Sequence, residues 1–184
     1  MLGFSYYDIM ARLRVNGPDD AWARLRAILE WFAEVQAEGG SRAYYAADRS
    51  RGSLQGGGTA GGLGLDREFM ESVMVPQVML YGFLGMQPTL EGFSIQPSLP
   101  TDWPSLAVTR IAMRDHVLDV FVDRLTITLT ARVGGEQPFI IELPTGMRPA
   151  RDQAGVEAAG APGNRWRVDP MQTGATLRFI AADR

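Results

Sequence analysis

Apolar residues recur every three or four positions up to about residue 86 and at every second position beyond it, so the chain reads as helices followed by strands. Tyr6, Ile9, Met10 and Leu13 share one face of a first helix, with Ser5 as its expected cap and Asp8 three residues on. Asn16-Gly17 stops it. Pro18 suits the first position of a second helix, Asp19 and Asp20 complement its positive end, and Trp22, Leu25, Ile28, Leu29, Phe32 and Val35 form its apolar stripe up to Gly39-Gly40. A third helix is expected from near Asp66. Phe69, Met70, Val73, Met74, Val78, Met79, Leu80, Phe83 and Leu84 make it apolar on nearly every side, and Pro76 should kink or divide it.

The strand signals are equally local. In "LTITLT", Leu125, Ile127 and Leu129 point one way and Thr126, Thr128 and Thr130 the other. "VLDVFV" precedes it across a tight turn at Asp123-Arg124, and "LAVTRIAM" lies before that across Arg114-Asp115-His116, which makes His116 a solvated turn residue. "PFIIEL", "RWRV" and "ATLRFI" add further strands, and the Gly-, Ala- and Pro-rich stretch between Pro144 and Asn164 reads as a long excursion. About seven short strands so spaced predict an antiparallel sandwich. The fold class is therefore α+β: an N-terminal α-hairpin and a buried helix over residues 1–86, then an antiparallel β-sandwich over 87–184. Three helices, one needing cover all round, cannot bury their own faces, so the helical part reads as incomplete and should show bare apolar surface.

Composition narrows the function classes. The 184 residues are 46% hydrophobic and 21% charged, which is globular, and the net charge of -3 offers no broad cationic surface, so neither nucleic acid nor a membrane is an expected partner. There is no cysteine and a single histidine, which rules out thiolate sites and a histidine-rich metal centre; no metal and no cofactor is expected. The 18 basic residues are all arginine, read as coding bias. No signal-peptide pattern and no apolar run of about 20 residues is present, and the compartment stays open.

Candidate chemistry gathers before the third helix. Seven glycines fall between Arg51 and Ser72, with the densest loop at 52–64. Gly56, Gly58 and Gly61 match a dinucleotide fingerprint, but no strand precedes them and no βαβ unit is evident; the ending of a phosphate-binding loop is missing as well. Asp66, Glu68 and Glu71 have two readings. Acids favour the first turn of a helix, whereas Glu68 and Glu71, three apart, could also act as a carboxylate pair with one raised pKa. Tyr44, Tyr45, Arg51 and Gln55, together with the backbone at Gly57 and Gly58, have the aromatic faces and planar polar groups that sugars require.

The run "YGFLGMQPTLEGFSIQPSLP", followed by "DWPSLAVTRI", resembles the junction between the (α/α)6 barrel and the C-terminal β-sandwich of six-hairpin glycoside hydrolases, a group that includes bacterial α-L-rhamnosidases and disaccharide phosphorylases. The pattern I-x-P-x-L-P-x-x-W carries the likeness, which extends over Glu71 to Val122. The resemblance implies that residues 1–86 are the last helices of such a barrel and that the glycine loop lies at its open end. It implies a carbohydrate as the partner, and docking with the rest of the barrel or self-association through the apolar helices. It places the general acid upstream of this sequence and makes Glu71, then Glu68 and Asp66, the candidates for the base. The rival reading is a self-sufficient carbohydrate-binding or structural sandwich module.

Overall fold

The computed structural model describes residues 2–37, 74–151, 153–160 and 163–182. They belong to two compact units, Met1–Val78 and Met79–Arg184. In the first, α1 (Leu2–Val15) and α2 (Pro18–Ala37) form the expected hairpin. Ile9 of α1 and Leu25 and Ile28 of α2, all on the stripes the spacing predicts, are buried, as is Ala21, which lies outside the predicted stripe; Tyr6, Met10, Leu13, Trp22, Leu29 and Phe32 are half-buried. Ser5 does not cap α1, because the helix begins a turn earlier at Leu2 and encloses it. Asp8 faces sideways instead: it accepts from Arg12 Nε at 2.9 Å and from Arg24 Nε at 2.7 Å, tying the two helices together. Arg12 also reaches Asp20 at 3.1 Å, and Asn16 donates to the same carboxylate. Tyr7 and Val15 are exposed on α1, so the hairpin does present apolar surface.

The third helix is described from Met74 onward. Pro76 lies in the short segment Val75–Gln77. Met74 and Val78 flank it with right-handed helical dihedrals, so the proline does not end the helical path. The next segment, Val78–Phe83, is a π-helix, and the Leu84 N–H reaches back five residues to the Met79 carbonyl at 2.9 Å. Met74, Val78, Phe83 and Leu84 are fully buried, and of residues 74–84 only Pro76 is exposed. The bare apolar flank expected of this helix is therefore absent from its described part.

The second unit is a sandwich of two five-stranded sheets. One runs β1 (Met86–Pro88), β2 (Gly92–Ile95), β6 (Phe139–Glu142), β9 (Arg165–Val168), β8 (Val156–Ala158); the other runs β3 (Ser105–Met113), β4 (His116–Asp123), β5 (Thr126–Val133), β10 (Thr176–Ala181), β7 (Met147–Pro149). The sandwich is antiparallel but for one pair. β2 and β6 are parallel, and Gly92 allows their approach, since a Cβ there would lie 2.0 Å from the Ile140 carbonyl oxygen. The inner faces of the two sheets enclose one core: Phe93, Ile95, Phe139, Ile141 and Val168 from the first meet Leu118, Val120, Val122, Ile127, Leu129 and Phe179 from the second.

The six strands read from the sequence all form. β1, β2, β7 and β8 were not anticipated, and the last two occupy the stretch read as an excursion. Two residues differ in detail. Leu125 is not a core position but lies exposed in the β4–β5 turn, because Asp123 closes that turn with its side chain. His116 is not solvated: the turn is only Arg114-Asp115, with Met113 opposite His116, and the imidazole is 1% exposed. No described helix is long and apolar enough to cross a membrane.

Hydrogen bonding from Arg24, supported by Arg12 and opposed by partial burial, holds the Asp8 carboxyl below the usual range. A depressed carboxylate stabilises the fold above its unfolded pKa of about 3.9 and loses that contribution as pH falls through the folded value. Helix signal followed by circular dichroism should therefore fall on acidification below about pH 4, and Asp8→Asn should flatten that response.

Candidate functional site

The motif that carries the family likeness is a clasp. Gly85 has φ +65°, a conformation that disfavours side chains, and a Cβ on it would lie 2.1 Å from the Gln96 carbonyl oxygen. This lets Gln96 N–H donate to the Gly85 carbonyl at 3.1 Å, and Ser98 N–H then donates to the Phe83 carbonyl at 2.8 Å. The strap 96–103 thus satisfies carbonyls that a helix end leaves open. Trp103 closes it, its ring 4.9 Å from that of Phe83, while Arg124 Nη2 holds the strap by the carbonyls of Pro100 and Thr101 at 3.3 and 3.0 Å. The pattern I-x-P-x-L-P-x-x-W therefore serves packing at the exit from helix to sandwich.

Beside the strap lies a cleft of about 350 Å³, lined by Pro97, Leu99, Ile127, Pro144, Met147 and Ala181, with Asp123, Arg124 and Thr145 as its polar members. Asp123 is locally determined: Oδ1 accepts from Leu125 N–H at 2.8 Å and Thr126 N–H at 2.7 Å, and Oδ2 from the Thr126 hydroxyl at 2.8 Å. Burial pushes this carboxyl up, but those hydrogen bonds outweigh it and leave the group below its ordinary range, hence charged at neutral pH. A second opening of about 290 Å³ lies between Glu91, Arg114, Pro138, Phe139, Ile140 and Arg167, where Glu91 is paired with Arg165 and Arg167 with Asp169.

His116 is structural. Its Nε2 accepts from Met171 N–H at 3.4 Å and its ring meets Phe139 edge-on. Nδ1 stands 2.9 Å from Asp115 Oδ1 but off the line of a hydrogen bond, so it has no such partner. Among the described residues no cluster of histidine, aspartate or glutamate could hold a metal ion.

Every residue singled out from the sequence for chemistry, namely Asp66, Glu68, Glu71, Tyr44, Tyr45, Arg51, Gln55, Gly57 and Gly58, lies outside the described residues. The cleft residues were missed by sequence reasoning. Asp123 and Arg124 read only as a turn, and nothing in their spacing says that Thr145 and Ala181 fold beside them.

A family model describing the C-terminal domain of glycosyl hydrolase family 65 matches residues 86–145. Over these residues the chain is similar to that family's C-terminal domain. The stretch begins at β1 and carries most of the clasp, so the resemblance drawn from the sequence, to the C-terminal part of a six-hairpin glycosidase-like enzyme, is borne out. A solved structure described as a candidate kojibiose phosphorylase from the human microbiome shares the fold over 98% of this chain, at a TM-score of 0.52 and 13% identity. The chain spans 19% of that protein's length. No curated protein matches.

If the family motif is a clasp, breaking it should cost stability. Gly85→Ala places a side chain in a left-handed conformation and against a backbone oxygen, so it should destabilise the family 65-like domain by at least about 2 kcal/mol. Trp103→Ala should cost about 3 kcal/mol. Urea denaturation followed by intrinsic fluorescence measures the first, and near-ultraviolet circular dichroism the second.

Proposed function

We propose that this chain supplies the C-terminal part of an enzyme that breaks glycosidic bonds, with residues 1–86 as the final helices of an (α/α)6 barrel and residues 87–184 as its sandwich. The observation that carries this reading is the family 65 match over residues 86–145, whose first strand comes directly after the clasped helix end. The apolar residues Tyr7 and Val15 left exposed on α1 suit docking against further barrel helices.

In this reading the carboxylates Glu71, Glu68 and Asp66 face the sugar from the segment before Met74, with Glu71 the first candidate for the base. Tyr44, Tyr45, Arg51 and Gln55 contact the sugar, and the backbone at Gly57 and Gly58 approaches it. A general acid from the remainder of the barrel protonates the departing glycosidic oxygen. The anomeric carbon is attacked either by water, with a carboxylate removing its proton, or by phosphate. Phosphate suits the solved relative, which is described as a phosphorylase. Its oxygen forms the new bond to the anomeric carbon as the glycosidic C–O bond breaks, and no carboxylate base is then required.

With the proton donor placed in the remainder of the barrel, the isolated chain should release no aglycone from aryl glycosides, with or without phosphate. In a longer protein that contains this chain, Glu71→Gln should lower kcat about 10²- to 10⁴-fold if water is the acceptor. It should have a smaller effect if sugar 1-phosphate is the product. Turnover by the isolated chain that Glu71→Gln abolishes would overturn the reading.

A further inference from the structure

The cleft beside the strap has the makings of a ligand site. Its volume of about 350 Å³ falls in the range of small-molecule pockets, and it has their composition: apolar walls from Pro97, Leu99, Pro144 and Met147 with a few polar groups among them. Two of those groups, Asp123 and Arg124, are held in place. Three hydrogen bonds from the β4–β5 turn fix Asp123, and a carboxylate has about four acceptor positions, so one lone pair on Oδ2 is left over. Arg124 is anchored through Nη2 to the Pro100 and Thr101 carbonyls, which leaves the N–H groups on Nε and Nη1. Thr145 adds a hydroxyl that can donate or accept.

We propose that this cleft binds a neutral sugar residue, through residues other than those proposed for glycosidic cleavage. The lining contains one carboxylate and one guanidinium, so an anion meets Asp123 and a cation meets Arg124, and each is disfavoured by a like charge. Adjacent sugar hydroxyls satisfy both groups together, one donating to the carboxylate and the next accepting from the guanidinium. The C–H face of the ring covers the proline, leucine and methionine walls. The choice of a sugar rests on the carbohydrate reading above, while the location rests on the cleft alone.

The test is a titration of the isotope-labelled chain with methyl α-D-glucopyranoside and maltose, following backbone amide shifts. Expected are shifts at Thr145, Met147 and Ala181 with affinity in the millimolar range, weakened at least about threefold for glucose 6-phosphate and for glucosamine. Thr145→Val should weaken binding by about threefold, and Ala181→Leu, which fills the cleft, should abolish it. The proposal is overturned if no amide around the cleft responds, if charged analogues bind as tightly as neutral ones, or if both variants bind like the parent. Any of these would leave the catalytic reading intact, because that reading is judged by turnover in the longer protein.

Discussion

The sandwich depends on the contact between its two inner faces, and that contact is made by residues far apart in sequence. Phe93 stacks on Phe139 within the first sheet, 5.7 Å between ring centres, and Phe179 from the last strand is fully buried against the same core. Large aromatic rings remove the most apolar surface per residue from water, so each of these three positions contributes heavily to the burial that offsets the chain's lost entropy. The helix exit joins this core through Leu84, which is why the clasp at Gly85 and Gln96 can fix the helix end against the sandwich with only two backbone hydrogen bonds.

Polar groups at the rims of the sandwich share a common plan. Asp115 accepts from the N–H groups of Glu136 and Gln137, Asp119 from Arg110 N–H, and Asp123 from Leu125 and Thr126. Each carboxylate replaces strand partners that a turn or bulge cannot supply. Arg110 and Arg114 both take positive φ at these places, and Asp119 answers for the first by binding its amide. The acids in and around β4 are thus largely committed to the backbone, and of these three Asp123 alone lines the cleft beside the strap.

Much of this was legible because it is local. Alternation in "LTITLT" and the three-and-four spacing of α2 are set by neighbours in sequence, and both elements form there, with Leu125 alone left in the preceding turn. The parts that escaped are set by distant partners. β7 and β8 are three residues each, too short for a periodic signal, and exist because β10 and β9 offer them edges. His116 looked like a turn residue because its turn is one residue shorter than the sequence suggests, and Gly135 and Met171, which cover it, lie about twenty and fifty-five positions away. The family likeness was legible through the clasp, whose glycine, prolines and tryptophan leave a sequence trace. The cleft leaves none, since its walls come from four separate stretches.

The parallel pairing of β2 with β6 has a consequence for how the molecule is put together. Between these two neighbours the chain departs to lay down β3, β4 and β5 in the opposite layer before it returns. β9 and β8 complete one layer and β10 and β7 the other, and all four lie beyond residue 145. As the polypeptide emerges from the ribosome, the stretch bearing the family signature is therefore out before the rest of the sandwich, its aromatic interior half roofed, and neither layer closes until the residues beyond 145 arrive.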